Sequence, residues 1–209
     1  MDWTSLYLKT SGLNVFILGT GEVATRRANK FLDHGAIVKL AGNSIDEELS
    51  NKGAELHSTD EADELVEWAD LVVIASGDKD LSNHVADISK DKLLNRADFP
   101  DDGDIIVPTS FNIGDIEISI FTGGKSPLMA RQLRKRIQSI ITEEDILEIE
   151  LQDYSRSLLK EYVPDQKDRR DYLYRIFEDE MIKGLIESKK IDEAKAVICE
   201  LIKRDFDDT

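Results

Sequence analysis

The run Leu71-Val72-Val73-Ile74-Ala75 sets the tightest limit on what this chain can fold into. A third of the residues are charged (33%), yet these five positions carry no polar side chain. A strand that is apolar at every position has no face to show to water, so it must be covered on both sides. Parallel sheets with helices above and below provide that environment. Val15-Phe16-Ile17-Leu18 repeats the pattern upstream and leads into Gly19-Thr20-Gly21-Glu22-Val23-Ala24. A helical period then runs from Glu22 to His34, with Gly35 placed as a C′ residue.

The rest of the first half continues the alternation. Strands are expected at Ile37–Ala41, Ala54–His57 and Leu93–Asn95, with helices at Asp60–Ala69 and Asp80–Lys90. This spacing predicts right-handed βαβ units in one parallel sheet. The character changes after Pro100. Ile105–Pro108 reads as a strand, Phe111–Gly114 as a turn and Glu117–Phe121 as the second strand of an antiparallel pair. A helix is expected from Pro127 to about Ile141, with Ser126 as its N-cap, and Thr142 with Asp145 caps the next. Everything from there to Lys203 is helical in pattern, broken near Pro164 and Lys189.

Bulk properties exclude several roles. The net charge of −16 repels phosphate backbones, so no nucleic-acid partner is expected. Cys199 is the single cysteine; it rules out an internal disulfide, fits a reducing cytoplasm and falls on an apolar helical stripe expected in the core. No leader peptide or apolar run of membrane-spanning length is present, so no membrane partner is expected. His34, His57 and His84 fall on separate elements, and no metal site is expected from them.

The segment Gly19–Ala24 is a G-x-G-x-x-A fingerprint between a strand and a helix. Its first Gly permits a tight turn, its second lets backbone N–H groups approach a pyrophosphate, and the small Ala24 lets helix and strand pack closely. Gly19, Thr20, Gly21, Glu22 and Val23 are therefore candidate cofactor residues, with Ser76 and Asp78 after the fourth strand. Asp78 has the alternative role of a helix cap. Dinucleotide folds commonly carry an acid after the second strand to hold the ribose hydroxyls; here Asn43 and Ser44 stand in that region, so the residues alone do not separate NAD from NADP.

With these elements in order, the chain resembles the precorrin-2 dehydrogenase/sirohydrochlorin ferrochelatase family over roughly residues 6–137. The fingerprint continues as Thr25-Arg26-Arg27, Ile74-Ala75-Ser76-Gly77-Asp78 matches the end of the family's fourth strand, and Asn95-Arg96-Ala97-Asp98 matches its N-V-V-D segment. Ile105–Ser110 matches a following F-x-x-P-S segment loosely. The most specific match is Thr122-Gly123-Gly124-Lys125-Ser126-Pro127-Leu128-Met129-Ala130-Arg131-Gln132-Leu133-Arg134.

The resemblance implies an NAD-binding Rossmann domain over 1–112, a small α+β dimerisation segment over 113–145 and a C-terminal helical domain over 146–209. It implies a cytoplasmic homodimer, without the methyltransferase domain of some relatives. The implied chemistry is NAD-dependent oxidation of the tetrapyrrole precorrin-2 to sirohydrochlorin, followed in bifunctional members by insertion of Fe²⁺, a substrate rather than a resident metal. Asp98 matches the acid the family uses in both reactions; its alternative is a turn-forming residue before Pro100. Arg96 departs from the family's apolar residue, and either contacts a substrate carboxylate or faces solvent. Lys125, Arg131 and Arg134 are candidate substrate residues, because a polycarboxylate needs local positive charge; salt bridges to Glu143, Glu144 or a partner chain are the alternative for the two arginines, and for Ser126 a substrate contact would be additional to its cap. Two further readings stand beside this one: a dehydrogenase without chelatase activity, and a nucleotide-sensing regulatory domain on the same fold.

Overall fold

The computed structural model describes residues 3–206, which form two compact units meeting at the Val107–Pro108 bond. In the first, β1 (Asn14–Leu18), β2 (Ile37–Ala41), β3 (Glu55–His57), β4 (Leu71–Ile74) and β5 (Leu93–Arg96) make one parallel sheet in the order β3-β2-β1-β4-β5. Helices α1 (Glu22–Asp33), α2 (Glu47–Asn51), α3 (Ala62–Trp68) and α4 (Lys79–Ile88) connect them.

The two apolar runs end up where their composition requires. Val15, Ile17, Leu71 and Val73 pack on one side with Ala24, Ala28 and Phe31 of α1. Phe16, Leu18, Val72 and Ile74 pack on the other with Leu65 and Val66 of α3 and Val85 of α4. Each such aliphatic or aromatic side chain contributes roughly 1.5–3 kcal/mol on burial. The β1–β4 register sets Val15 beside Leu71 and Leu18 beside Ile74, and the strand order, which runs outward through β2 and β3 on one side of β1 and through β4 and β5 on the other, changes direction next to the glycine turn. That junction is where open α/β sheets bind ligands.

The expected strand at Ile105–Pro108 does not form, and the hairpin lies further on. Asp104 and Ile105 donate their amides to the Leu94 carbonyl, at 2.8 and 3.1 Å. The Ile105 carbonyl accepts from Asn95 Nδ2 at 2.8 Å, and the Val107 carbonyl from the Arg27 guanidinium at 2.6 Å. Side chains therefore take the bonds that a partner strand would have taken. The hairpin pairs β6 (Thr109–Ile113) with β7 (Ile116–Ile120), and Ile113 faces Ile116 across a two-residue turn. Gly114, at φ +53°, supplies the first turn position, as a type II′ turn demands. Phe111, which the sequence suggested for the turn, is instead a buried strand residue.

In the second unit α5 (Pro127–Ile140) follows the hairpin, and α6 (Glu143–Tyr162), α7 (Gln166–Glu178), α8 (Glu180–Glu187) and α9 (Ile191–Phe206) form a helical cluster. Its core holds Leu151, Leu159, Ile176, Ile182, Ile198 and Ile202. Hairpin and helices together make up the second compact unit. The break between α7 and α8 was not legible: Asp179 ends one helix and caps the next, accepting from the amides of Met181 and Ile182 at 2.9 and 3.1 Å. Cys199 is half-buried on the flank of the α9 stripe rather than in the core. Among the described residues no helix is long and apolar enough to cross a membrane.

Candidate functional site

The glycine turn is fixed by sterics before any ligand is considered. Gly19 has φ +114°, and a Cβ there would sit 2.5 Å from the Ala75 carbonyl oxygen. Only glycine lets the β1 exit lie this close to the end of β4. A Cβ on Gly42 would meet Thr20 Cγ2 at 2.5 Å, so the exit of β2 is equally tight against the turn. Gly21 differs from both. Its φ of −78° suits any residue, and a Cβ there meets nothing within 4 Å. Gly21 leaves open space in front of α1, where a phosphate would have to approach.

The start of α1 is also electrostatically unfinished. Asp46, Asp78, Ser126, Thr142, Asp165 and Asp179 each accept an amide at the head of the helix they precede. Gly21 has no side chain with which to cap α1, so the first amides of that helix point into the open space without a side-chain acceptor. Their partial positive charge suits an anion. Glu22 and Val23 would contribute here through their backbones; the Glu22 side chain is 95% exposed, within 3.9 Å of Arg26. Asn43 and Ser44 are exposed beyond β2, next to the acidic sequence Asp46-Glu47-Glu48. Ser76 Oγ accepts the Asp78 amide at 3.1 Å, and the Asp78 carboxylate accepts from Asp80 and Leu81 at the head of α4. The capping role of Asp78 is therefore realised. These residues fit a dinucleotide: a glycine cradle, an uncapped helix and neutral hydrogen-bonding groups at the ribose position.

Asp98 stands on the same edge of the sheet. Ala97 extends the ladder past β5 by donating to the Ile74 carbonyl at 2.9 Å, and Asp98 follows it. Arg96 does not face solvent, which removes one of the two roles expected from sequence. Its side chain is only 6% exposed, and all three guanidinium nitrogens are engaged. Nε and one terminal nitrogen grip the two Asp98 oxygens at 3.1 and 2.7 Å, while the same group reaches Asp102 at 2.9 Å and Asn83 Oδ1 at 3.2 Å. Partial burial works to raise the Asp98 pKa, but the hydrogen bonds and charge of Arg96, with the backbone amides of Asp98 and Phe99, outweigh it. The net effect holds this carboxyl below the usual carboxylate range.

The remaining candidates belong to the second unit and form a group of their own. Ser126 caps α5, accepting from Met129 at 3.2 Å, and its own amide donates to Thr122 Oγ1 at 3.4 Å. The Arg134 guanidinium stacks 5.2 Å from the Phe111 ring. Lys125 and Arg131 are exposed. Replacing Ser126 by Ala should lower unfolding free energy by about 1 kcal/mol, and Ser126→Asn should restore it. Turnover measured on both variants separates capping from substrate contact: normal turnover by the Asn variant would leave Ser126 with the cap alone.

Comparison with known proteins places this arrangement. Residues 6–109 match the NAD(P)-binding family model NAD_binding_7. The precorrin-2 dehydrogenase of Methanosarcina barkeri (strain Fusaro / DSM 804) is 31% identical over 212 residues, covering 94% of this chain and 94% of that protein. The chain belongs to the precorrin-2 dehydrogenase family. The solved structure of SirC, precorrin-2 dehydrogenase, has the same fold, with a TM-score of 0.77 and 23% identity over 94% of this chain and 98% of that one. The siroheme synthase of Tolumonas auensis (strain DSM 9187 / NBRC 110442 / TA 4) is 25% identical over 98% of this chain, which spans 45% of that protein's length.

Relative to the precorrin-2 dehydrogenase pattern, the Asn83–Arg96–Asp98–Asp102 network is the part that sequence reasoning missed. A signal for it existed: one Arg stands just before the cluster Asp98, Asp101, Asp102 and Asp104. Asn83 carried none, since only the fold brings α4 beside β5. The contact between Gly42 and Thr20 was equally invisible.

Proposed function

We propose that this protein oxidises precorrin-2 to sirohydrochlorin with NAD. The observation that carries this reading is the relationship to the M. barkeri precorrin-2 dehydrogenase along 94% of both chains. NAD supplies the hydride acceptor when bound. Gly19, Gly21 and the head of α1 take the pyrophosphate, and Asn43 and Ser44 take a ribose hydroxyl. Asp46, Glu47 and Glu48 disfavour the extra phosphate of NADP at that end of the crevice, which supports NAD.

The low pKa of Asp98 directs its role. A carboxylate held ionised is a weak base toward a neutral pyrrole, but it stabilises positive charge. Loss of a hydride makes the macrocycle cationic, and its N–H protons then become acidic enough to pass to such a carboxylate. Asp98 thus first stabilises the cation and then takes the proton on its way to water. Arg96 fixes the direction of the carboxylate and keeps it charged.

The reading extends to Fe²⁺ insertion, supported by the match of 98% of this chain to a siroheme synthase. The pyrrole protons displaced by the metal would again pass through Asp98. It also includes a homodimer, supported by the exposed apolar residues Leu128, Met129 and Ile140 on α5, and a cytoplasmic location, in keeping with the single cysteine.

Anaerobic incubation with enzymatically made precorrin-2 and NAD, run on the species sized by light scattering, tests these points together. The expected result is stoichiometric NADH and the sirohydrochlorin spectrum from a dimer, followed by sirohaem on adding Fe²⁺. A monomeric active species would reject the dimer. Oxidation without metal insertion would limit the protein to the dehydrogenase, and NAD binding without turnover would favour the nucleotide sensor.

A further inference from the structure

The second unit contains a cleft of about 590 Å³ between the C-terminal half of α6 and the start of α7. Arg156, Lys160, Lys167, Arg169 and Arg170 line it, against a single carboxylate, Asp165. In a chain of net charge −16 this is the reverse of the average surface. Four lysines elsewhere in the same unit find acids: Lys183 reaches Glu180, Lys189 Glu143, Lys190 Glu193 and Lys195 Glu150.

Arg156, Lys160 and Lys167 do not, carrying no side-chain ion pair or hydrogen bond among the described residues. Arg156 and Lys160 are four apart on α6, a spacing at which like charges disfavour the helix. The one carboxylate is already committed, since Asp165 accepts from the amides of Lys167 and Asp168 at 2.7 and 3.1 Å. Arg169 is committed as well: it donates to the Val163 and Pro164 carbonyls, both at 2.7 Å, and so ties the end of α6 to the start of α7. Arg170 has only a long contact to its neighbour Asp171, at 3.4 Å. Arg169 is therefore occupied with the backbone, and the cleft keeps its other cations available.

We propose that the α6–α7 cleft is a binding site for a multiply charged anion, and that its occupant is the polycarboxylate tetrapyrrole, engaged through its carboxylate side chains. The occupant rests on the proposed function; the anion site itself does not. Arg156 and Lys160 supply one wall and Lys167 and Arg170 the other, a spread that suits several carboxylates on one scaffold better than a single small ion. In an acidic protein such a site collects a polyanion that the remaining surface repels.

The test uses the full chain and uroporphyrin, a stable octacarboxylate porphyrin, titrated by fluorescence without NAD. Wild type should bind it with strong salt dependence. Arg156→Gln combined with Lys160→Gln, and separately Lys167→Glu, should weaken binding roughly ten- to hundred-fold, whereas Lys183→Gln outside the cleft should not. Equal affinity of wild type and cleft variants would overturn the proposal. Binding of tripolyphosphate but not uroporphyrin, lost in the same variants, would overturn the tetrapyrrole as occupant.

The titration needs no turnover: absence of wild-type turnover with precorrin-2 and NAD would reject the proposed function, and the porphyrin titration would still decide the site.

Discussion

Gly21→Asp should weaken NAD binding by more than about a hundred-fold and leave the fold intact. The new side chain enters space that no atom of the protein occupies, since a Cβ at Gly21 meets nothing within 4 Å. It would cap α1 as Asp78 caps α4, which favours the helix by about 1 kcal/mol. The same carboxylate would take the amides meant for the pyrophosphate and repel it, a loss on the order of 3 kcal/mol, or more than a hundred-fold in affinity. Calorimetric titration with NAD and a thermal melt read the two effects separately. Gly19→Ala should behave in the opposite sense. A methyl 2.5 Å from the Ala75 carbonyl at φ +114° must push β1 and β4 apart, so the melt itself should fall, by about 2–4 kcal/mol in stability. Unchanged NAD affinity in Gly21→Asp would remove the cofactor from this crevice.

Asp98→Asn should keep NAD affinity and lower turnover on the order of 10²–10⁴-fold, through loss of the charge that the cationic macrocycle needs. Asn is chosen because it can still accept from Arg96; Asp98→Ala would leave a nearly buried guanidinium short of its main partner. Because Arg96 holds the Asp98 pKa down, the wild-type pH–rate profile should show no acid limb from this group between about pH 5 and 8.

Arg96→Met should bring that limb up toward the ordinary carboxylate range. It should also cost about 2–4 kcal/mol of stability, since Asp98, Asp102 and Asn83 all lose a donor. The sign for stability follows from the lowered folded-state pKa. The Arg96–Asp98 contribution is present above the unfolded value, near 3.9, and is lost as pH falls through the folded one. An Asp98→Asn enzyme with near-normal turnover would exclude this carboxylate from the mechanism.

Much of this was written in the sequence where local physics is decisive. The bounds of β1 and β2 follow from their apolar runs and flanking glycines, Gly35 sits at positive φ as a helix terminator should, and Thr142 with Asp145 forms the full reciprocal cap. The losses occurred where tertiary partners override local pattern. Ile105 and Val107 look like a strand because they alternate onto an apolar face, but their carbonyls are answered by Asn95 and Arg27. Helix α2 buries only Leu49, so it gave no periodic signal. In the candidate site, the glycine turn was legible because its chemistry lies in consecutive residues. The partners of Arg96 were not legible because they lie in α4 and in the turn after Phe99.

The Arg27 and Asn95 contacts also set a rule for where one half of such a chain may be exchanged for another. Burial lowers the Arg27 pKa to about 10, so its guanidinium remains charged at neutral pH while it holds the Val107 carbonyl. The sheet ends at Arg96, yet the last residues that finish its flank are Ile105 and Val107. A graft joined immediately after β5 would strip two polar side chains of their acceptors and uncover the apolar side of α1. A graft joined at Pro108 would keep both acceptors and the apolar cover inside the first unit. The modular seam of this architecture therefore lies beyond its final strand.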